Sequence, residues 1–268
     1  MQNVKQFIKE IFTNRVVSQR LARFNVDNKW ANSYLGSVWD YIEPMMFIAI
    51  YFLVFGLGVY QGDVDGQPYL LWLLTAIVPW FYIQEVYNRG LSSIKGQVST
   101  LSKTRFPLSI AITIPMLEGF RRYVVMTVLF IGIMLICGYM PVIYWLQVFY
   151  AIFAMMMMLL SFNLINSTLA LLIPDYKSAM SALFRIIFYS SGVVVNLNSP
   201  SMPYVVTAIL QLSPFNYVVN IFRDTFLYQR WFWQDMGHTI FFWGTIGVLF
   251  FIGTMMHMRF RDTFTELL

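Results

Sequence analysis

The sequence has little charge, one cysteine, two histidines and no phosphate-binding loop, and each of these shortages excludes a class of protein or a kind of site. Charged residues make up 12% of the chain, against roughly a quarter in a soluble domain. Cys137 has no second cysteine to pair with, and packing in its apolar run is its expected role. His238 and His257 stand at opposite ends of one apolar run, so we expect no shared metal site. Without a GxxxxGKS/T motif, the chain does not hydrolyse a nucleotide by that mechanism.

Apolar residues are abundant instead: 58% of the 268 residues are hydrophobic and 18% are aromatic. This composition predicts an integral membrane protein. The formal net charge is +5, but the basic residues collect in loops, which favours contact with anionic membrane lipids and not with nucleic acid. The first residues, MQNVKQFIKEIF, lack the pattern of a removable signal peptide, so we expect the first span to direct insertion.

Six apolar runs are long enough to cross a bilayer, for which ~17 residues is the lower limit. We therefore predict an all-α integral membrane fold with six transmembrane helices in a single domain, residues 1–268. The predicted spans are residues 44–60, 67–84, 108–138, 142–173, 178–195 and 238–258.

The distribution of basic residues predicts the orientation. Arg20, Arg23 and Lys29 precede the first span, whereas the loop after it carries Asp63 and Asp65 without Lys or Arg. By the positive-inside rule the N-terminus is cytoplasmic. The basic tail after residue 258 is then cytoplasmic too, which requires an even number of spans.

Two other segments are predicted to be helical without spanning. Apolar and basic residues interleave with a helical period from Val4 to Phe24, which predicts an amphipathic interface helix over residues 4–29. It either touches a cytoplasmic partner or serves only as an anchor. Residues 197–230 hold two apolar pieces too short to cross, and we predict two short re-entrant helices there, before the last span. The alternative is an ordinary folded outer loop.

The longest inner loop, residues 88–105, is polar and basic. We interpret it as a contact for a motor protein; the alternative is a solvated connector. Its basic residues are Arg89, Lys95, Lys103 and Arg105.

A few charges lie within the predicted spans. Glu118, Arg121 and Arg122 fall in the third span and Arg185 in the fifth. Such arginines either extend to the inner interface or line a polar passage. The spans lack the regular carboxylates of a proton-coupled carrier, so the energy source is expected to be another subunit.

Several motifs carry a family resemblance. The segment YLGSVW at residues 34–39, then Pro44 and VFG at 54–56, resembles the opening of type-2 ABC export permeases for lipid-linked polysaccharides. SPFNY at residues 213–217, with Arg223, is similar to their outer re-entrant helices. IPDYK at residues 173–177 resembles the wall teichoic acid branch. Many polysaccharide permeases have arginine where this chain has Pro174.

The resemblance implies a homodimer docked on two copies of a separate ABC ATPase subunit, which binds the ATP and Mg. The loop at residues 88–105 would couple the ATPase to transport. This chain would contain no catalytic site and no cofactor, while the complex would act as an ATP-dependent translocase. The implied substrate is a lipid-linked anionic glycopolymer such as teichoic acid, moved across the cell membrane of a Gram-positive bacterium.

A polyol-phosphate chain needs aromatic faces for its sugars and cations for its phosphates. The predicted substrate path consists of Arg122, Arg185, Tyr189, Phe215, Tyr217 and Arg223.

Three other functions are compatible with parts of the sequence. The first is export of O-antigen or capsular polysaccharide by the same superfamily, and the second is export of small hydrophobic compounds. The third is a membrane-embedded transferase, which needs an interfacial cluster of Asp, Glu or His. Asp63 and Asp65 are only an isolated outer pair, so this third alternative is the weakest.

Overall fold

The chain folds into a bundle of α-helices with one small hairpin. The computed structural model describes residues 2–29, 33–51, 53–54, 63–101, 106–197, 199 and 202–261. The helices are α1 Gln2–Thr13, α2 Arg15–Lys29, α3 Trp39–Tyr51, α4 Tyr69–Gly90, α5 Ser93–Leu101, α6 Ile114–Ile136, α7 Val148–Leu172, α8 Tyr176–Ser190, α9 Tyr204–Gln211, α10 Pro214–Arg223 and α11 Met236–Phe260. The strands β1 Asp63–Val64 and β2 Gln67–Pro68 pair antiparallel around Asp65 and Gly66, both at positive φ.

Four helical stretches among the described residues are long and apolar enough to cross a membrane. They are Tyr69–Gly90, Leu108–Ile136, Ile143–Leu172 and Phe232–Phe260. The pair Tyr204–Gln211 and Pro214–Tyr228 is bent by 87° and would be a fifth crossing if it forms one span. The helical, membrane-spanning fold class is confirmed, but this criterion gives four or five spans and not six.

The first and fifth predicted spans correspond to shorter helices. Within residues 44–60, the structure describes 44–51 and 53–54; the others lie outside the described residues. Helix α3 has 13 residues and begins before Pro44, which it contains. The predicted span starts at this proline, but the helix begins earlier, because neighbouring helices make internal prolines tolerable in membrane proteins. Helix α8, in place of residues 178–195, has 15 residues.

Other predicted boundaries also shift. The second span extends past residue 84 to Gly90, because Glu85 and Arg89 pair one turn apart at 3.0 Å and so continue the helix. The predicted helix over residues 4–29 is two helices separated at Asn14. The Asn14 side chain donates to the Glu10 carbonyl at 2.8 Å, a local bond that competes with helix geometry.

The core forms around α4, whose apolar side chains are buried on every face. Leu73, Leu74 and Ile77 are fully buried, and α6, α7 and α10 pack around this helix. A helix that is apolar all round lies in a protein core or in a membrane, and the neighbours of α4 place it in the core. Helix α4 is therefore the centre of the bundle.

The bundle has two distinct ends. At one, α1 packs on the end of α11, and Glu10 pairs with Arg261 at 3.1 Å; α2 and α5 lie here too. We call this the charged end. At the other, Asp65 in the β1–β2 turn accepts from Asn196 at 3.2 Å, and α10 ends beside α11's beginning. We call this the hairpin end.

Candidate functional site

A polar cavity of about 460 Å³ opens at the hairpin end. It lies between α10, the π-helical turn Asp224–Tyr228 that continues it, and the start of α11. Asparagine, carboxylate, arginine and aromatic side chains share its lining. They include Asp65, Asn216, Tyr217, Asn220, Arg223, Asp224, Arg230, Trp231 and Asp235.

The cation deepest in this cavity is Arg223, which is 4% exposed. Its guanidinium lies 3.4 Å from the centre of the Trp72 ring and donates to the carbonyls of Val193 at 3.1 Å and Trp72 at 3.5 Å. Among the described residues no carboxylate lies within 4 Å of it. Burying a charge without an opposite charge is costly, and in membrane proteins such charges mark functional sites.

The cavity wall has unusual backbone geometry. The π-helical turn ends at Gln229, whose φ of 55° is left-handed. Single π turns and left-handed non-glycine residues are rare and concentrate at functional sites. Buried Gln147, from the turn before α7, holds the next residues in place. Its amide donates to the Arg230 carbonyl at 3.0 Å and accepts from the Phe232 N–H at 2.8 Å.

Aromatic rings are fixed around the same cavity. Trp231 and Trp233 stack with ring centres 4.6 Å apart. The Tyr217 hydroxyl shares hydrogen bonds with Tyr150 at 2.7 Å and Thr239 at 3.1 Å. These rings are held in position by the protein itself, so they need no ligand to order them.

A second polar site, at the charged end, is a network of ion pairs centred on Arg122. Arg122 contacts Asp40 and Glu43 of α3, each at 3.2 Å, and Glu85 of α4 at 3.6 Å. Arg89 joins the same Glu85 at 3.0 Å to Glu118 of α6 at 2.7 Å. We call these six residues the charged cluster.

Helix α2 is attached to this cluster. Asn25 donates to Glu118 at 2.6 Å, and Lys29 lies 3.7 Å from Asp40. Burial, and then the charge of Arg122, hold the pKa of Lys29 below its usual range, while Asp40 acts in the opposite direction. The charged cluster thus connects α2, α3, α4 and α6.

The side chains of the cavity are suited to binding a ligand, and those of the charged cluster are suited to connecting helices. Among the described residues, no group of three or more His, Cys, Asp or Glu side chains is arranged to hold a metal ion.

In sequence, residues 18–227 match the family described as ABC-2 type transporter. The chain belongs to the ABC-2 type transporter family.

Three curated relatives of this ABC-2 chain share one name, O-antigen export system permease protein RfbA. The one from Myxococcus xanthus is 19% identical over 227 residues, which cover 84% of this chain and 85% of the relative. Of two relatives from Klebsiella pneumoniae, one is 25% identical over 202 residues, which cover 74% of this chain and 75% of the relative. The other is 24% identical over 243 residues, which cover 90% of each chain.

The residues predicted for the substrate path fall at four places in this ABC-2 chain. Tyr217 and Arg223 line the cavity together. Phe215 lies instead in the aromatic core, 6.0 Å from the ring of Trp80. Arg185 and Tyr189 are exposed on α8, and Arg122 lies in the charged cluster.

The residues predicted for coupling are also separated. Arg89 belongs to the charged cluster, whereas Lys95 is exposed on α5. Lys103 and Arg105 lie outside the described residues. The structure therefore brings Arg89 and Arg122, assigned to different roles, onto one shared carboxylate, Glu85.

Sequence reasoning missed several residues of both sites. Gln147 was detectable as a polar residue in an apolar run, and Glu85 and Arg89 have the i, i+4 spacing of a helical ion pair. Asp224 and Trp231 had no such signal, because they reach the cavity through the π-helical turn Asp224–Tyr228 and the left-handed Gln229, which no sequence pattern marks.

Proposed function

We propose that this chain is the membrane subunit of an ATP-driven exporter that moves a lipid-linked polysaccharide to the outer face of the cell membrane. An O-antigen type of polymer is preferred to wall teichoic acid, because all three relatives are named as O-antigen export permeases. The family match over residues 18–227 carries this proposal, since that stretch contains both the charged cluster and Arg223.

The energy would come from two copies of a separate ABC ATPase docked at the charged end, which would face the cytoplasm with both termini. Helix α5 is the proposed contact. Its Ile94 is buried against Phe7 and Leu164, so α5 is held on the bundle while Lys95 remains exposed. Beside it lies a groove of about 370 Å³, lined by the exposed Lys177 and by Arg89 with its partner Glu118. Lys95 and Lys177 therefore present the exposed positive charge suited to an acidic partner.

The exporter would be a homodimer, with α8 as part of the interface. Leu183, Ile186 and Tyr189 form an exposed row on this helix, and Arg185 is exposed beside them. A charge facing lipid is costly in the middle of a membrane. A second subunit or an aqueous passage is a more favourable neighbour for Arg185.

Two measurements test this proposal. The chain is co-expressed with the ATP-binding protein encoded beside it, and the purified complex is assayed for vanadate-sensitive ATP hydrolysis. In parallel, surface polysaccharide is measured in cells that lack the chain and in cells that regain it. We expect a stable complex and restored export. If no ATPase co-purifies and surface polysaccharide does not depend on the chain, the proposal is wrong.

A further inference from the structure

We infer that the cavity at the hairpin end is a binding subsite for a neutral pyranose unit. The inference rests on the proposed export function and narrows its substrate class. It departs from the anionic polymer expected from the sequence, because the cavity carries charges of both signs.

The charges in the cavity do not favour an anion. Three carboxylates, from Asp65, Asp224 and Asp235, share the lining with Arg223 and Arg230. A chain of phosphates would be attracted by the two arginines but repelled by the three carboxylates. A neutral ligand rich in hydroxyl groups can use both, because each hydroxyl donates to a carboxylate and accepts from a guanidinium.

Two of these groups are available for a ligand. The Asp224 carboxylate accepts no hydrogen bond from any described residue, and buried Arg223 has only two carbonyls and a ring as partners. By contrast, Asp235 is paired with His238 at 2.6 Å, and Asp65 accepts from Asn196. Asp224 and Arg223 both line this cavity, so they offer an acceptor and a donor to one ligand.

The aromatic rings supply the other element of sugar recognition. A pyranose presents C–H groups on one face, and such a face packs on an aromatic ring while the hydroxyls at its edge reach polar groups. Trp231 lines the cavity beside the charged residues, and its stacking on Trp233 fixes the plane of its ring. The ring and the polar groups therefore meet in one cavity.

The size and rigidity of the cavity fit this role. Its volume of about 460 Å³ lies in the range of small-molecule sites, about 300–1,000 Å³. Gln147 holds the wall at Arg230 and Phe232, and a site that is ordered before binding loses less entropy on binding.

Binding can be measured on the full chain in nanodiscs. Saturation-transfer NMR and tryptophan fluorescence are recorded with methyl pyranosides of glucose, galactose, mannose and rhamnose, and with glucuronate and glycerol 3-phosphate. We expect saturable binding of at least one neutral pyranoside and weaker binding of both anions. D224N, which keeps the side-chain size, should weaken the binding about tenfold through loss of a charge-assisted hydrogen bond.

R230Q is a second variant at an exposed position of the rim and should also weaken the binding. D175N is the matched control, because Asp175 is exposed in the turn between α7 and α8 at the charged end. Absence of saturable binding by every pyranoside would overturn the inference. So would anions that bind as tightly as the neutral sugars, or a D175N effect as large as that of D224N.

The export assay separates this inference from the proposed function. If export depends on the chain and D224N exports normally while no pyranoside binds, only the subsite is wrong. If neutral pyranosides bind but surface polysaccharide does not depend on the chain, the export function is wrong and the site is a sugar site of another purpose.

Discussion

At the scale of single residues, the half-buried Arg122 and the buried Arg223 have opposite surroundings. Arg122 contacts three carboxylates, so its charge is compensated within the subunit. Arg223 contacts two carbonyls and a ring. A ligand that met Arg122 would have to displace its partners, whereas a ligand at Arg223 would supply hydrogen bonds that it lacks. Of the two predicted path residues, Arg223 is better placed to bind substrate.

Removing Arg122 should destabilise the protein more than removing an exposed arginine. Arg122→Ala leaves Asp40, Glu43 and Glu85 without their shared cation. Loss of one partner from a buried pair costs roughly 3–5 kcal/mol, and because the Arg122 side chain is 22% exposed, we expect the lower value. Thermal unfolding in detergent measures the effect.

Arg20→Ala is the control for this experiment, because Arg20 is exposed on α2 and belongs to neither site. Arg122→Lys should fall between the two, since an ammonium keeps the charge but lacks the fork of a guanidinium. Equal unfolding temperatures for Arg122→Ala and Arg20→Ala would show that the charged cluster adds no stability.

At the scale of helices, α7 and α11 pack closely at a glycine. A Cβ on Gly253 would lie 2.7 Å from the Cβ of Leu164 and 3.0 Å from Cγ1 of Ile165. Small residues allow helix backbones to approach in this way in membranes. Gly253→Ala should therefore push the helices apart and destabilise the protein by about 1–3 kcal/mol.

Gly247→Ala provides a comparison on the same helix, because a Cβ there meets nothing within 4 Å. Alanine is the better helix former by about 1 kcal/mol, so this variant should unfold at the same temperature or higher. The unfolding temperatures of both variants measure this difference in stability. If Gly253→Ala is as stable as Gly247→Ala, the glycine is not needed for this packing.

The proposed contact between helix α5 and the ATPase can be tested without disturbing the charged cluster. Lys95→Glu should weaken co-purification of the ATPase or lower the coupled ATP hydrolysis severalfold, since it reverses a charge on an exposed surface. Arg89→Glu would also break the pairs with Glu85 and Glu118, so it does not isolate docking. Lys9→Glu on α1 is the control. An unchanged complex with Lys95→Glu would exclude Lys95 from the contact.

How well the bounds of each helix could be predicted from the sequence depends on which interactions determine those bounds. Periodicity and apolar length predicted α6, α7 and α11 closely, because bilayer thickness fixes the length of such runs. The end of α4 was placed six residues early, because Glu85 and Arg89 look like a loop until their partners on α6, Arg122 and Glu118, are known. The cavity could not be predicted, since it depends on an 87° bend and a π turn.

At the scale of the whole molecule, the arrangement of the two ends constrains the number of crossings. The Glu10–Arg261 pair places α1 and the end of α11 together at the charged end, so the chain must pass between the ends an even number of times. Helices α4, α6, α7 and α11 provide four passages. Since α7 ends at the charged end and α11 begins at the hairpin end, the chain must return between them.

Helix α8 makes this return. Tyr176 at its start donates to Asn166 of α7 at 2.8 Å, and Ser191 after its end accepts from Asn216 at 2.9 Å near the cavity. Its 15 residues extend about 22 Å at 1.5 Å per residue. This length is less than a hydrocarbon core of about 30 Å, so α8 is not among the four long apolar stretches. Helix α3 begins in the charged cluster and β1 lies at the hairpin end, so one further passage separates these two elements and six passages remain the expected number.

In this arrangement α9 and α10 begin and end at the hairpin end, and we expect them to form a re-entrant pair. The prediction is tested by cysteine labelling in a Cys137→Ser background, which removes the exposed native thiol. Tyr204→Cys and Gln234→Cys should both react with an impermeant maleimide in intact cells, because both positions are exposed at the hairpin end, which we expect to face outward. Lys177→Cys, at the charged end, should react only after permeabilisation. If the bent pair were one span, Tyr204 and Gln234 would lie on opposite sides, and only one of the two would react in intact cells.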